Sequence, residues 1–206
     1  MDKKNTLIKL KAEERKMRQQ IIISAARDVF GRKTYDKVSM AEIAKSAGIA
    51  KSSIYTYFKS QEELYARIVA MDSEAFIEEL KRRIDGAGEE ILHTAVSHFL
   101  DYYIEHKAQW RMITHFALHG NKDLKAIDQL NEIGRKLMDV FAMIFDTLGC
   151  GDRSRIMAHT LFSCLSGILI AFRNYPGRSE PERIAHMKRI GDTLETMIRA
   201  LVEKEA

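Results

Sequence analysis

Two prolines, Pro176 and Pro181, are the only ones in 206 residues, and eleven glycines are the other strong helix breakers. Proline removes a backbone donor and clashes with the turn before it, and a glycine inside a helix costs about 1 kcal/mol relative to alanine. A chain so poor in both can run in long helices. Its apolar residues recur at three- and four-residue spacing, the period of a helix face, and no alternating strand pattern or repeat of roughly 20–50 residues is visible. These features predict an all-α fold.

The apolar set Ile22, Ala25, Ala26, Val29 and Phe30 predicts a first helix over 15–30, ended by Gly31. Ser39 with Glu42 reads as a capping box, the serine covering a backbone N–H and the glutamate reaching back. The short helix it opens carries Ile43, Ala44 and Ala47 on one face and stops at Gly48. A third helix is expected from about Ala50 to Phe58. Ser60 with Glu63 is a second capping pair, opening a longer helix with Leu64, Ile68, Met71 and Ala75 on one face, as far as Arg83, before the breaking sequence Asp85-Gly-Ala-Gly88. Two short helices joined by a tight glycine turn describe a helix-turn-helix, in which the second helix enters the DNA major groove and presents its N-terminal residues to base edges.

Charge follows the same division. Residues 1–60 hold 14 Lys+Arg against 6 Asp+Glu, a net +8, while residues 61–206 hold 19 against 23, a net −4. A basic N-terminal segment on a mildly acidic body suits a polyanion at one end, although a solubilising basic tail has the same composition. Lys3, Lys4, Lys9 and Lys11 fit either a minor-groove arm or a frayed tail, with the first dozen residues outside the folded core.

Four blocks in this region hold a joint spacing: Ile22-x-x-Ala25-Ala26-x-x-x-Phe30; Tyr35-x-x-Val38-Ser39-Met40-x-x-Ile43-Ala44-x-x-Ala47-Gly48-Ile49; Ser53-Ile54-Tyr55-x-Tyr57-Phe58; and Glu63-Leu64. Together they resemble the DNA-binding domain of TetR-family transcriptional regulators over about fifty residues. The resemblance implies an N-terminal helix-turn-helix domain, a larger helical ligand-binding and dimerisation domain, and double-stranded operator DNA as the partner. Three positions depart from the family pattern. Thr34 stands where a glycine usually precedes the aromatic residue, and holding it at positive φ would cost about 1 kcal/mol. Ala50 replaces a common serine, leaving the third helix without a side-chain N-cap. Gln61 replaces a lysine that in the family typically holds a phosphate, and Lys59 could supply the charge instead.

Read on this framework, the candidate DNA-contacting residues are Ser39, Lys51, Ser52, Ser53, Tyr55, Tyr57, Lys59 and Gln61. Lys51, Ser52 and Ser53 fall on the first turn of the third helix, where a lysine can reach a guanine edge or a phosphate and short hydroxyls permit close approach. Tyr55 and Tyr57 leave a helix roughly 200° apart and cannot serve the same purpose. The resemblance makes Tyr55 a backbone-phosphate contact; Tyr57 is either a second contact or a half-buried packing residue. Ile54 and Phe58 fall on the packing side. The expected boundaries are a basic extension over 1–14, the helix-turn-helix domain over 15–60, and the body over 61–206, with a connecting helix over 61–84.

The body reads as helices over 89–107, 109–118, 122–148, 152–174 and 182–203. Leu161, Cys164, Ile168 and Phe172 on one helix, with Met187, Ile190, Leu194 and Met197 on another, recur at helical spacing. Paired with symmetry mates they would form a four-helix dimer interface, and within one subunit they would form core. A homodimer suits a palindrome whose half-sites lie roughly 34–36 Å apart or a multiple of it. Trp110, Met112, Phe116, Met138, Phe141 and Phe145 suit a pliable apolar pocket and equally an ordinary core. By resemblance, a small, largely apolar effector would tilt the connecting helix, change the spacing of the recognition helices and release DNA, as in a repressor. A ligand-independent or protein-responsive DNA-binder is the alternative.

No phosphate loop, nucleophile elbow or zinc-protease motif is present, so an enzyme is not expected. Two cysteines, Cys150 and Cys164, make no disulfide or metal framework. His115 and His119, four apart, lack a third ligand at suitable spacing, so no metal or other cofactor is expected. No run approaches 18 apolar residues and the N-terminus lacks a signal-peptide apolar core; a cytoplasmic protein without membrane contact is the expectation.

Overall fold

The computed structural model describes the backbone of residues 3–119 and 124–203 and the side chains of residues 5–115 and 128–203. The described chain is all-α. Its helices are α1 (Lys3–Arg32), α2 (Met40–Ser46), α3 (Lys51–Ile54), α4 (Gln61–Ile84), α5 (Ile91–Glu105), α6 (Lys107–His119), α7 (Leu124–Thr147), α8 (Ser154–Phe172) and α9 (Glu180–Glu203), with short 3-10 turns at Tyr35–Lys37, Gly88–Glu90 and Gly151–Arg153. Two compact units divide them: Met1–Met71 with Ala108–Leu130, and Asp72–Lys107 with Asn131–Ala206. The sequence-based division at residue 60 differs from this one. The start of α4 and nearly all of α6 belong with the helix-turn-helix because their apolar residues, Leu64, Tyr65, Ile68 and Met112, are buried in its core beside Ile22, Phe30, Ile43 and Ile54. Complete burial of each such side chain contributes about 1.5–3 kcal/mol.

Two helices differ from their expected extents. α1 begins at Lys3 rather than near Arg15, although residues 5–14 are exposed throughout. No breaker interrupts Lys3 to Ile22, and the segment is rich in Lys, Leu, Glu and Arg, so a helix fixed by its packed C-terminal half propagates backward without a new nucleation cost. α3 is shorter than expected, closing at Ile54. Thr56 N–H then donates to Ser53 O (3.1 Å) and Tyr57 N–H to Ile54 O (3.0 Å), the tighter i→i+3 pattern. The run Ile54-Tyr-Thr-Tyr57 is weak in helix propensity, which favours that tightening.

In the second unit α5 packs against both α8 and α9. Phe76, Phe99, Phe141 and Phe145 are fully buried, with Phe76 edge-on to Phe99 at 5.7 Å. Polar pairs flank the α5–α9 seam: Lys188 Nζ to Asp101 Oδ1 (2.7 Å), and His93 Nδ1 to Glu195 Oε2 (2.7 Å). By length and composition alone the segment Gly151–Phe172, which contains α8, could cross a membrane. Its Leu161, Leu165 and Leu169 are buried in this unit, as in a core helix.

Candidate nucleic-acid interface

Ser39 sits in extended conformation (φ −128°, ψ 151°), and its Oγ accepts the Glu42 N–H at 3.2 Å, capping α2. The reciprocal half of the box is replaced: the Glu42 carboxylate pairs with Lys33 Nζ at 2.6 Å. At the other end of α2, Gly48 adopts φ +67°, Ile49 N–H donates to Ala44 O (3.0 Å) and Gly48 N–H to Lys45 O (3.2 Å). This pair of bonds is the Schellman closure, which needs a left-handed residue and therefore favours glycine. Three residues later α3 starts at Lys51. Ala50, at its N-cap, offers no side-chain bond.

The turn aims α3 so that Ile54 and Phe58 are buried (0% and 4% exposed), while Lys51, Ser52, Ser53 and Tyr55 face solvent. Four neighbouring groups able to bond phosphates or base edges thus stand on α3 and the residue that caps its end. Ser39 is exposed as well, and its hydroxyl hydrogen remains free to donate after the oxygen accepts Glu42 N–H.

Tyr57 is half-buried against the core of the unit. The Arg15 guanidinium lies over its ring at 5.5 Å, and Arg15 Nη2 donates to Thr56 O at 3.0 Å, so α1 is clamped to the turn after α3. The exposed Lys59 has its backbone N–H on Glu63 Oε2 (2.6 Å), while Ser60 Oγ accepts Glu63 N–H (3.1 Å). Gln61 turns its amide inward, Nε2 donating to Tyr35 O at 2.9 Å. Thr34 takes an ordinary extended conformation (φ −72°), so no strain accompanies the missing glycine.

Sequence reasoning missed the brace that α6 supplies. Arg111 Nη2 donates to Phe30 O (3.0 Å) and Gly31 O (2.6 Å), covering carbonyls at the end of α1. His115 stacks on Tyr35 (centroids 4.6 Å), and Tyr65 meets Tyr35 edge-on at 4.9 Å. Burial is the main cause raising both phenols above their usual range, so Tyr35 and Tyr65 stay neutral packing groups. The i,i+4 spacing of Arg111 and His115 marks one helix face, but nothing local announces a partner 80 residues away.

The proposed pocket residues do not converge on one described cleft. Trp110 and Met112 are buried and belong to the first unit; Met138, Phe141 and Phe145 are buried in the second; the Phe116 and His119 side chains lie outside the described residues. Three clefts have other walls. One of about 580 Å³ lies between α1 and the α2–α3 turn (Met17, Ile21, Ile49, Ser53), and one of about 320 Å³ is bordered by Lys16, Tyr57 and Arg67. The third, about 520 Å³, is bordered by Arg82, Ile91 and Met143.

The dimer candidates divide as well. Leu161, Ile168 and Met187 point into the second unit, Cys164, Phe172, Ile190 and Leu194 are intermediate, and Met197 is exposed. The exposed stripe of α8 is instead Ile156, Thr160, Ser163, Gly167 and Ile170, at four- and three-residue spacing. The larger residues at helical spacing were taken inward by α5 and α9, leaving mostly small ones outside.

Known proteins agree with this geometry. Residues 22–68 match the family model described as bacterial regulatory proteins, tetR family. YfiR of Bacillus subtilis, an uncharacterised HTH-type transcriptional regulator, is 31% identical over 98 residues, 47% of this chain and 46% of that protein. UidR of Escherichia coli, an HTH-type transcriptional regulator, is 31% identical over 84 residues, 41% of this chain and 38% of that protein. The matches thus span about half the length of these curated relatives or less. FadR from Bacillus halodurans, a fatty acid degradation regulator, superposes with a TM-score of 0.70 at 18% identity, covering 86% of this chain and 94% of that one. FadR from Bacillus subtilis, solved with stearoyl-CoA, gives 0.69 at 20% identity, covering 85% and 96%. At that identity the structures speak for the fold alone. Over residues 22–68, its N-terminal helix-turn-helix, the chain matches the tetR family of bacterial regulatory proteins.

Proposed function

We propose that the chain is a homodimeric, cytoplasmic repressor that occupies a palindromic operator and leaves it when a small, largely apolar molecule binds the second unit. The observation that carries the DNA-binding part is the exposed set Lys51, Ser52, Ser53 and Tyr55, held out from a buried Ile54 and Phe58 behind a glycine-closed turn. Such an arrangement is what direct readout in the major groove requires.

The dimer reading draws on the α8 stripe Ile156–Thr160–Ser163–Gly167–Ile170, exposed among the described residues, and on exposed Met197 and Leu201 of α9. Small residues let paired helices approach closely, and an isologous contact would set two recognition helices at a fixed spacing. Ligand release draws on a fold shared with a regulator that holds stearoyl-CoA, and on an aromatic interior in the second unit. α4 is one continuous helix with residues in both units, so an effector that favours one placement of it would alter operator affinity by its differential affinity for the two forms.

Titration of a fluorescent duplex from the chain's own promoter region tests the reading. Lys51→Ala and Tyr55→Phe should each weaken binding by about 1–3 kcal/mol with the fold intact. Unchanged affinity in both variants removes this surface from the interface. A monomer at micromolar concentration in ultracentrifugation removes the dimer.

A further inference from the structure

The N-terminal continuation of α1 has no counterpart in the interface described above. Residues 5–14 form a regular helix that is exposed on every side, so nothing described in the chain accounts for it. We propose that this continuation lies along DNA flanking the site read by Lys51–Tyr55, with Lys11 and Arg15 facing the phosphates; the proposal rests on the DNA-binding reading above.

Position and charge carry it. Arg15 is fixed beside the recognition turn by its bond to Thr56 O and by the Tyr57 ring. Lys11, four residues earlier, shares Arg15's side of the helix. Lys9 lies roughly 200° round from Lys11, on another side. Arg18 belongs to the Arg15 side too, but its guanidinium is closed on Glu14, Nε at 3.1 Å and Nη2 at 2.9 Å. The cationic face therefore runs outward from the recognition turn through Arg15 to Lys11. From Arg15 to Asn5 the helix rises about 15 Å, the length of four or five base-pair steps.

The first twenty residues hold seven basic and three acidic side chains, a net +4. A second copy of the same segment would meet it with like charge, so the complement is an anionic partner. The same helix exposes Leu7 (59%), Ile8 (58%), Leu10 (55%), Met17 (66%) and Ile21 (49%), and a basic helix with exposed apolar residues is also what an anionic bilayer takes. DNA is favoured because Arg15 is bonded to the recognition turn, and because Met17 and Ile21 border the cleft against Ile49 and Ser53 of that turn, so a bilayer reaching them would have to meet the DNA-facing residues as well.

The test uses the full chain and a site selected by it from a random-duplex pool, prepared as the selected site alone and with six base pairs added on either side. Affinities are measured from roughly 50 to 200 mM salt. The longer duplex should bind more tightly, with a log–log salt slope steeper by about 0.9 for each Lys11 engaged, roughly a threefold change over that range. Lys11→Ala should abolish the gain and Lys9→Ala should keep it. Equal affinity for the two duplexes overturns the proposal, as does an equal effect of Lys9→Ala and Lys11→Ala, which would mean bulk charge. Binding to phosphatidylglycerol vesicles, lost in Leu7→Ala/Leu10→Ala, with no gain from the longer duplex, would assign the segment to a membrane surface instead. Failure to bind either duplex sinks the DNA-binding reading itself.

Discussion

Gln61 Nε2 donates to the backbone carbonyl of Tyr35 at 2.9 Å, tying the first residue of α4 to the 3-10 turn that follows α1. At the position where the family commonly carries a phosphate-holding lysine, this chain has an internal strut. Gln61→Ala should therefore lower stability by about 1 kcal/mol, the net value of one such bond, measured by urea denaturation. Gln61→Lys should do something different: raise DNA affinity and steepen the salt slope by about 0.9 per added contact. A lysine variant with the wild-type slope would show that position 61 does not face a phosphate.

Gly48 is the joint on which the aim of α3 depends. A Cβ there would meet no atom within 4 Å, so a substitution at φ +67° has a purely conformational cost. Gly48→Ala should destabilise by about 1–2 kcal/mol and Gly48→Asn by less, since asparagine tolerates the left-handed region better. Equal losses in the two variants would point to a steric cause instead.

The helix-turn-helix was legible because its determinants are local. Ser39 capping α2, Gly48 closing it and Ile54 with Phe58 facing inward all follow from rules that act within a few residues. Contacts between distant segments were not legible. Arg111 reaches Phe30 O and Gly31 O across 80 residues, and Glu42 leaves the capping box for Lys33 nine residues away. Spacing also shows that a helix has an apolar side without showing what covers it. Leu161 and Ile168 were read as possible interface and are core, while Thr160, Ser163 and Gly167, weak in any hydrophobic pattern, form the outer stripe.

At the buried Gly191, α9 leaves no room for a side chain against α5. A Cβ built there would lie 2.5 Å from Leu100 Cδ1 and 3.4 Å from Val96 Cγ1. Gly191→Ala should cost about 1–3 kcal/mol through overpacking. The clash is with the end of one side chain, so the same substitution in a Leu100→Ala background should cost measurably less, a coupling that a double-mutant denaturation cycle reads directly. Simple additivity would place the strain in the backbone.

The His93–Glu195 pair makes the stability of the second unit depend on pH. The hydrogen bond to Glu195 raises the His93 pKa above 6.5, with smaller help from Glu90 and Asp192 and against partial burial. Arg199 Nε holds the other oxygen of Glu195 at 2.9 Å, and Arg199 Nη2 also reaches Glu89 O at 3.1 Å, so the carboxylate is held in place. For a base whose pKa is higher folded than unfolded, the stabilisation is complete below the unfolded value, near 6.5, and disappears as pH rises through the folded one. His98 opposes this slope: burial chiefly lowers its pKa, with Arg83 adding to the effect, so its contribution is lost as pH falls. Wild-type stability alone therefore mixes two trends, and the difference between wild type and His93→Gln isolates one. That difference should be largest at about pH 6 and shrink toward pH 8 in denaturant titrations. A difference constant across this range would mean that His93 bonds Glu195 as a neutral ring, and its pKa would then not be raised.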